Sequence, residues 1–96
     1  MVETFGNRLA EDLFADRVSK SVRHFPPELR RTARQKLLYL HEAAELKDLQ
    51  APPGNRLEAL KGTWKGFFSI RINEQWRIVF RWKSGHAYDV QVIDYH

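Results

Sequence analysis

Residues 67–93 read Phe-Phe-Ser-Ile-Arg-Ile-Asn-Glu-Gln-Trp-Arg-Ile-Val-Phe-Arg-Trp-Lys-Ser-Gly-His-Ala-Tyr-Asp-Val-Gln-Val-Ile, and their period decides the fold. Phe68, Ile70 and Ile72 alternate with Ser69 and Arg71. After an Asn73-Glu74 turn, Trp76, Ile78, Phe80 and Trp82 alternate with Arg77, Val79 and Arg81. Lys83-Ser84-Gly85-His86 is a second turn, with Gly85 free to take positive φ. Tyr88, Val90 and Val92 then alternate with Asp89 and Gln91. A period of two belongs to strands, so residues 57–96 are expected to hold an antiparallel three-stranded meander. One face, bearing Trp76, Ile78, Phe80, Val90 and Val92, should pack on helices. The other should stay uncovered and display Arg71, Arg77 and Arg81.

Upstream, Ala51-Pro52-Pro53-Gly54-Asn55 cannot continue a helix and reads as a tight loop. The segment before it is helical. Pro26-Pro27 opens a long helix, since a proline in the first turn has no helix bond to lose, and Glu28 suits the positive end of the dipole. Leu29, Ala33, Leu37, Leu40 and Ala44 follow as one apolar stripe, opposite Arg31, Arg34, Gln35 and Glu42. The helix is expected to end near residues 46–49. Residues 8–15 read as a short helix with Leu9, Leu13 and Phe14 inward, and Val2 to Phe5 as an edge strand ended by Gly6. The pattern is α+β: N-terminal helices packed on one face of a small twisted antiparallel sheet, one domain over residues 1–96.

Composition agrees. At 96 residues, 43% hydrophobic and 29% charged, the chain suits one ordinary globular core rather than two domains or a disordered segment. It has no cysteine, which excludes disulfides and thiolate metal sites and fits a reducing cytoplasm. The first residues contain no apolar run resembling a signal peptide, and no segment is long enough to span a bilayer, so no membrane association is expected. Of the net charge of +4, the distribution matters more than the sum. Residues 17–36 carry seven cations against Glu28, and residues 56–83 carry seven against Glu58 and Glu74. Two such blocks suit a polyanionic partner, either nucleic acid or an acidic protein.

The chemistry-bearing residues are few. Arg71, Arg77 and Arg81 share strand parity on adjacent strands and could converge on one phosphate, beside Lys61 and Lys65. Taken singly, each could instead pair with Asp89, Glu74 or Glu58; three together favour an anion. RNA can be cut without a metal, because the ribose 2′-hydroxyl attacks its own phosphate once a base, an acid and stabilising cations are in place. His24, His41 and His86 read as ordinary surface residues. His96 follows Asp94 and Tyr95, and both Asp94 and its own carboxylate favour the imidazolium, making it a candidate proton donor. Glu58 and Lys61, three apart, could cooperate or pair with each other. The histidines show no metal-ligand spacing, and no cofactor or metal is expected.

Several stretches together resemble a known family: Ala43 to Leu49, then Asn55-Arg56-Leu57-Glu58-x-Leu60-x-Gly62, then Phe68 to Asn73 with Gln75-Trp76-Arg77-Ile78-x-Phe80, then Val92-Ile93-Asp94-Tyr95-His96. In this order they resemble the HigB branch of the RelE/ParE toxins, over roughly the last two-thirds of the chain. The resemblance implies a toxin of a type II toxin–antitoxin pair that cleaves messenger RNA on the translating ribosome without a metal. It also implies a HigA-like antitoxin with a helix-turn-helix, through which alone DNA would be met. Lys61, Arg77, Asp94, Tyr95 and His96 match positions associated with catalysis in the family. Glu58 stands where some HigB toxins have a histidine, and is a possible base. Arg56, Lys65, Arg71, Arg81, Arg30 and Arg34 are the candidate RNA contacts. Two other readings stand beside this one. A ParE-like inhibitor would bind a protein target such as gyrase. A non-catalytic nucleic-acid-binding module would use Arg30, Arg31 and Arg34 to track phosphates.

Overall fold

The computed structural model describes residues 1–51 and 53–95. Four antiparallel strands, β1 (Glu58–Ala59), β2 (Phe68–Arg71), β3 (Trp76–Lys83) and β4 (His86–Asp94), lie side by side in chain order. The meander expected from the alternation is therefore present, with β1 as a fourth, two-residue strand at its edge. Such a strand is too short to show a period. It pairs Glu58 with Ser69 and Ala59 with Phe68.

The register follows from burial. Ile70, Ile78 and Val92 stand opposite one another and are buried on the helix side, while Arg71 and Arg77 pair on the other face. The β3–β4 hairpin closes through Ser84 (φ 52) and Gly85 (φ 82), the two positive angles that a right-twisted two-residue turn requires. Next to it the register slips between Val79 and Arg81, where Asp89 takes φ 52. This bulge breaks the expected Tyr88–Val90–Val92 alternation. Beyond it Ala87, fully buried, joins Val90 and Val92, while Tyr88 pairs with Arg81. The free edge of β4 is covered by residues 2–6, which bridge to Ala87 and Val90 in parallel.

Three helices cover the apolar face: α1 (Arg8–Phe14), α2 (Lys20–Arg23) and α3 (Arg30–Glu42). Asn7 caps α1 by accepting from the Ala10 amide at 3.0 Å and ties it to β4 by donating to the Val92 carbonyl at 2.9 Å. The short α2, capped by Ser19, was not evident from the period, because four residues are too few to display one. Ala10, Leu13, Val22, Phe25, Ala33, Leu37 and Leu40 meet Ile70, Ile78, Phe80, Val90 and Val92 in one core. No helix among the described residues is long and apolar enough to cross a membrane.

The long helix ends earlier than expected, at Glu42, where Ala43 turns extended (ψ 128). The Asp48 carboxylate accepts from the amides of Ala44 (3.0 Å) and Glu45 (2.9 Å), offering them a partner other than the helix, and a 3₁₀ turn follows at Leu46–Gln50. Ala43 rather than Ala44 is consequently the buried end of the stripe.

The loop before β1 is anchored from α3. Lys36 Nζ donates to Asn55 Oδ1 at 2.6 Å, and buried Asn55 donates to the Leu49 carbonyl at 3.2 Å. Burial lowers the Lys36 pKa below its usual value of 10.5. Folding thus carries a desolvation cost at neutral pH that is relieved as pH rises from the lowered pKa toward 10.5, where the unfolded chain still holds the proton. Asn55→Ala should destabilise the protein by about 1–3 kcal/mol, since it strips the partner from a partly buried ammonium; urea denaturation checks this. Lys36→Met should flatten the alkaline rise in stability.

Candidate active site

The second face of the sheet is not bare. Between β1 and β2 the chain leaves the sheet at Lys61 and returns at Phe67, whose carbonyl accepts from the Leu60 amide at 2.8 Å. The excursion folds back: Leu60, Phe67 and Val79 form a second apolar cluster with Trp64, Ile93 and Tyr95 packed against it. Trp64 meets Phe67 edge-on, with ring centroids 5.1 Å apart. Gly66, at φ 93, makes the return possible, and a Cβ there would lie 3.2 Å from the Arg81 guanidinium. The expected uncovered cationic face is thus half apolar and partly roofed. Val79, an apolar residue between two arginines, was the one signal in the alternation that this face needed cover.

That roof changes the arginines. Arg77 is only 9% exposed rather than displayed. One of its terminal nitrogens donates to Ser69 Oγ at 3.2 Å and lies 3.7 Å from a Glu58 carboxylate oxygen. Its guanidinium carbon sits 4.9 Å from the centre of the Tyr95 ring. Ser69, fully buried, was missed by the sequence reading; only its parity with Arg71 hinted at it. Arg81 points elsewhere, over the Phe67 ring at 4.3 Å and against Asp89 at 3.3 Å. Arg71, half-buried, is the cross-strand partner of Arg77, and its Nε is buried without a hydrogen-bond partner. The three arginines therefore do not converge on one point.

The tail is held in place through Tyr95. Trp76 pairs with Asp94, the Tyr95 amide donates to the Gln75 carbonyl at 2.8 Å, and Gln75 Nε2 donates to Asp94 Oδ2 at 2.9 Å. His96 lies outside the described residues. Lys61, Gly62, Thr63, Trp64, Ile93, Asp94 and Tyr95 line a single open cleft of about 520 Å³. The sequence-named Lys61, Asp94 and Tyr95 thus come together, with Arg77 against the Tyr95 ring and Glu58 against Arg77. Glu58 pairs with Arg77 and not with Lys61.

The remaining candidates are spread more widely. Lys65 is exposed on the excursion, and Arg56 is exposed in the connection before β1 with φ 45. Arg30 and Arg34 line a different groove, among the helices. His41 is structural, since its Nδ1 accepts from the Val2 amide at 3.1 Å; His86 lies 3.1 Å from Glu3. Among the described residues no three His, Asp or Glu side chains are grouped to hold a metal ion. The cleft joins an ammonium, a carboxylate and a phenol beside a held guanidinium, a set that can bind an anion and move protons.

The same architecture, a small sheet with helices on one face, is found in solved structures of other small proteins. A crystal structure of a YafQ mutant from E. coli superposes with a TM-score of 0.65 at 14% identity, covering 98% of this chain and 91% of that one. YoeB in a YoeB–YefM complex from Staphylococcus aureus superposes at 0.59 and 20% identity, covering 100% and 98%. Residues 3–96 match the HigB-like toxin family, the RelE-like toxin of the type II toxin–antitoxin system HigB, and the chain belongs to that family. It is 38% identical to Toxin HigB-1 of Vibrio cholerae serotype O1 over 87 residues, 91% of this chain and 90% of that one. It is 42% identical to Endoribonuclease HigB of Proteus vulgaris over 41 residues, 43% and 45% of the two chains.

Proposed function

We propose that this toxin is a ribosome-dependent, metal-independent endoribonuclease that cuts messenger RNA during translation in the cytoplasm. In this reading residues 1–96 form one catalytic domain, neutralised by a HigA-like helix-turn-helix antitoxin, with DNA met only through their complex. The observation that supports it is the gathering of Lys61, Asp94 and Tyr95 around one cleft with Arg77 alongside.

The ribose 2′-hydroxyl attacks the adjacent phosphorus, leaving a 2′,3′-cyclic phosphate and a free 5′-hydroxyl on the departing strand. Arg77, exchanging Glu58 for the scissile phosphate, stabilises the charge that builds on its oxygens, and Lys61 assists from the cleft rim. His96 transfers the proton to the leaving oxygen, with Asp94 orienting it. Glu58, once released, takes the proton of the attacking 2′-hydroxyl as the base. Tyr95 stacks on a base or bonds to the RNA backbone. Arg71, Arg81, Lys65 and Arg56 flank the path of the strand.

Primer extension on cellular transcripts after brief induction tests the reading. Cuts phased by codon, absent when initiation is blocked, are expected. Growth arrest with intact transcripts would overturn the nuclease assignment.

A further inference from the structure

Arg71 and Arg77 stand directly opposite each other on β2 and β3, on the sheet face away from the helices. The Cβ atoms of such a pair lie about 4.5–5.5 Å apart, and like charges there repel. Among the described residues only Arg77 is compensated. Glu58 and Ser69 meet one of its terminal nitrogens, and its guanidinium lies against the Tyr95 ring. Arg71 is half-buried, and its side chain forms no ion pair or hydrogen bond among the described residues. Its Nε is buried without a partner, whereas its terminal nitrogens reach solvent.

The neighbouring elements leave this imbalance in place. On β1, Glu58 stands opposite Ser69, two residues from Arg71, but its carboxylate is turned to Arg77. Arg81 has its own acid in Asp89 and its own ring in Phe67. One carboxylate therefore stands against two adjacent guanidiniums. A ligand that brings one negative charge to each arginine would relieve the repulsion, the first charge replacing Glu58 at Arg77 and the second filling Arg71. The rooted side chain is prepared for that, since its buried Nε fixes the stem while the planar end offers N–H donors matched to phosphate oxygens.

We propose that Arg71 binds the phosphodiester next to the one held by Arg77, so that this face takes two successive phosphates of a single RNA strand. The inference rests on the nuclease reading above and deepens it. Arg77 meets the reacting phosphate, whereas Arg71 is a positioning residue that fixes the register of the strand over the cleft. A lone anion would leave one guanidinium uncompensated. Successive phosphates arrive as linked charges, and once the first is bound the second meets Arg71 at high effective concentration.

The test is titration of the isotope-labelled full chain, followed by amide NMR, with uncuttable 2′-O-methyl trinucleotides. A trinucleotide without terminal phosphates carries two phosphodiesters, and a methylphosphonate in place of either leaves one charge. The two-charge probe should shift amides of β2 and β3 around Arg71 and Arg77. It should bind about tenfold or more tightly than either one-charge analogue, as expected of one charge-assisted contact. In Arg71→Met, which keeps an apolar stem, that preference should vanish. With the repulsion gone, the melting midpoint of Arg71→Met should hold or rise, by up to roughly 8 °C. Retention of the preference in Arg71→Met, a midpoint lowered by several degrees, no shift at these amides, or tighter binding of triglutamate there would overturn the inference. The probes cannot be cut, so its failure is separable from that of the nuclease reading. Two-phosphate binding with transcripts left intact would remove only the nuclease, and cutting without the two-phosphate preference only this subsite.

Discussion

Arg77→Ala is expected to slow RNA cutting by about 10²–10³-fold, the usual cost of deleting a preorganised donor to a developing oxyanion. The magnitude rests on how the side chain is held. Ser69 and the Tyr95 ring restrict the guanidinium before any substrate arrives, and Glu58 keeps its charge partnered in the meantime. Little ordering then remains to be done when the phosphate displaces that carboxylate. The stability cost should be smaller, about 1 kcal/mol or a shift in melting midpoint of roughly 4–8 °C, because Glu58 is 53% exposed and returns to water. Arg77→Lys should recover little of the activity, since a point charge reproduces neither the fork nor the stacking. Single-turnover cleavage on programmed ribosomes, beside a thermal melt of the same preparations, separates the two effects. Full activity in a folded Arg77→Ala protein would remove Arg77 from the mechanism.

Phe80→Ala should have the largest effect on folding. Phe80 is fully buried in the middle of β3, stacked on Phe68 at 6.1 Å and edge-on to Trp82 at 6.3 Å. Truncation leaves a ring-sized void that rigid neighbours cannot close, at a cost of about 3–5 kcal/mol. Against the 5–15 kcal/mol typical of a native domain, that is a large share. A fall in midpoint of roughly 12–40 °C by circular dichroism is expected. Its neighbour Val79 provides the contrast. It lies on the opposite face under Leu60 and Phe67, so Val79→Ala should cost less stability yet loosen the support of Tyr95 and depress cutting disproportionately.

Much of the architecture was legible in residues 67–93 because a strand with one face against a core must alternate, and Ile70, Ile78, Phe80 and Val92 do. The α3 stripe was legible for the same reason at the helical period, through Ala33, Leu37 and Leu40. The helix end was not, because Asp48 competes for amides three and four residues back, and this depends on a turn with no hydrophobic period. The bulge at Asp89 was likewise invisible. One residue at positive φ resets the parity of Tyr88 and Ala87, and that choice is made by the β3–β4 pairing and the N-terminal segment bridged to β4.

The site divides the same way. Lys61, Arg77, Asp94 and Tyr95 were candidates from residue type and order alone, and the fold brings Lys61, Asp94 and Tyr95 to one cleft with Arg77 against the Tyr95 ring. Their surroundings could not be read that way. By itself the sequence determined which segments alternate, which residues are apolar enough to make a core, and which few carry charge or exchangeable protons. Those properties reside in each residue and its near neighbours. Only the tertiary structure decided that the 61–66 excursion roofs the second face, and that Arg77 is held by Ser69, Glu58 and Tyr95 while Arg81 turns to Asp89. Each of these is a contact between segments distant in the chain, set by how two faces fit rather than by the composition of either.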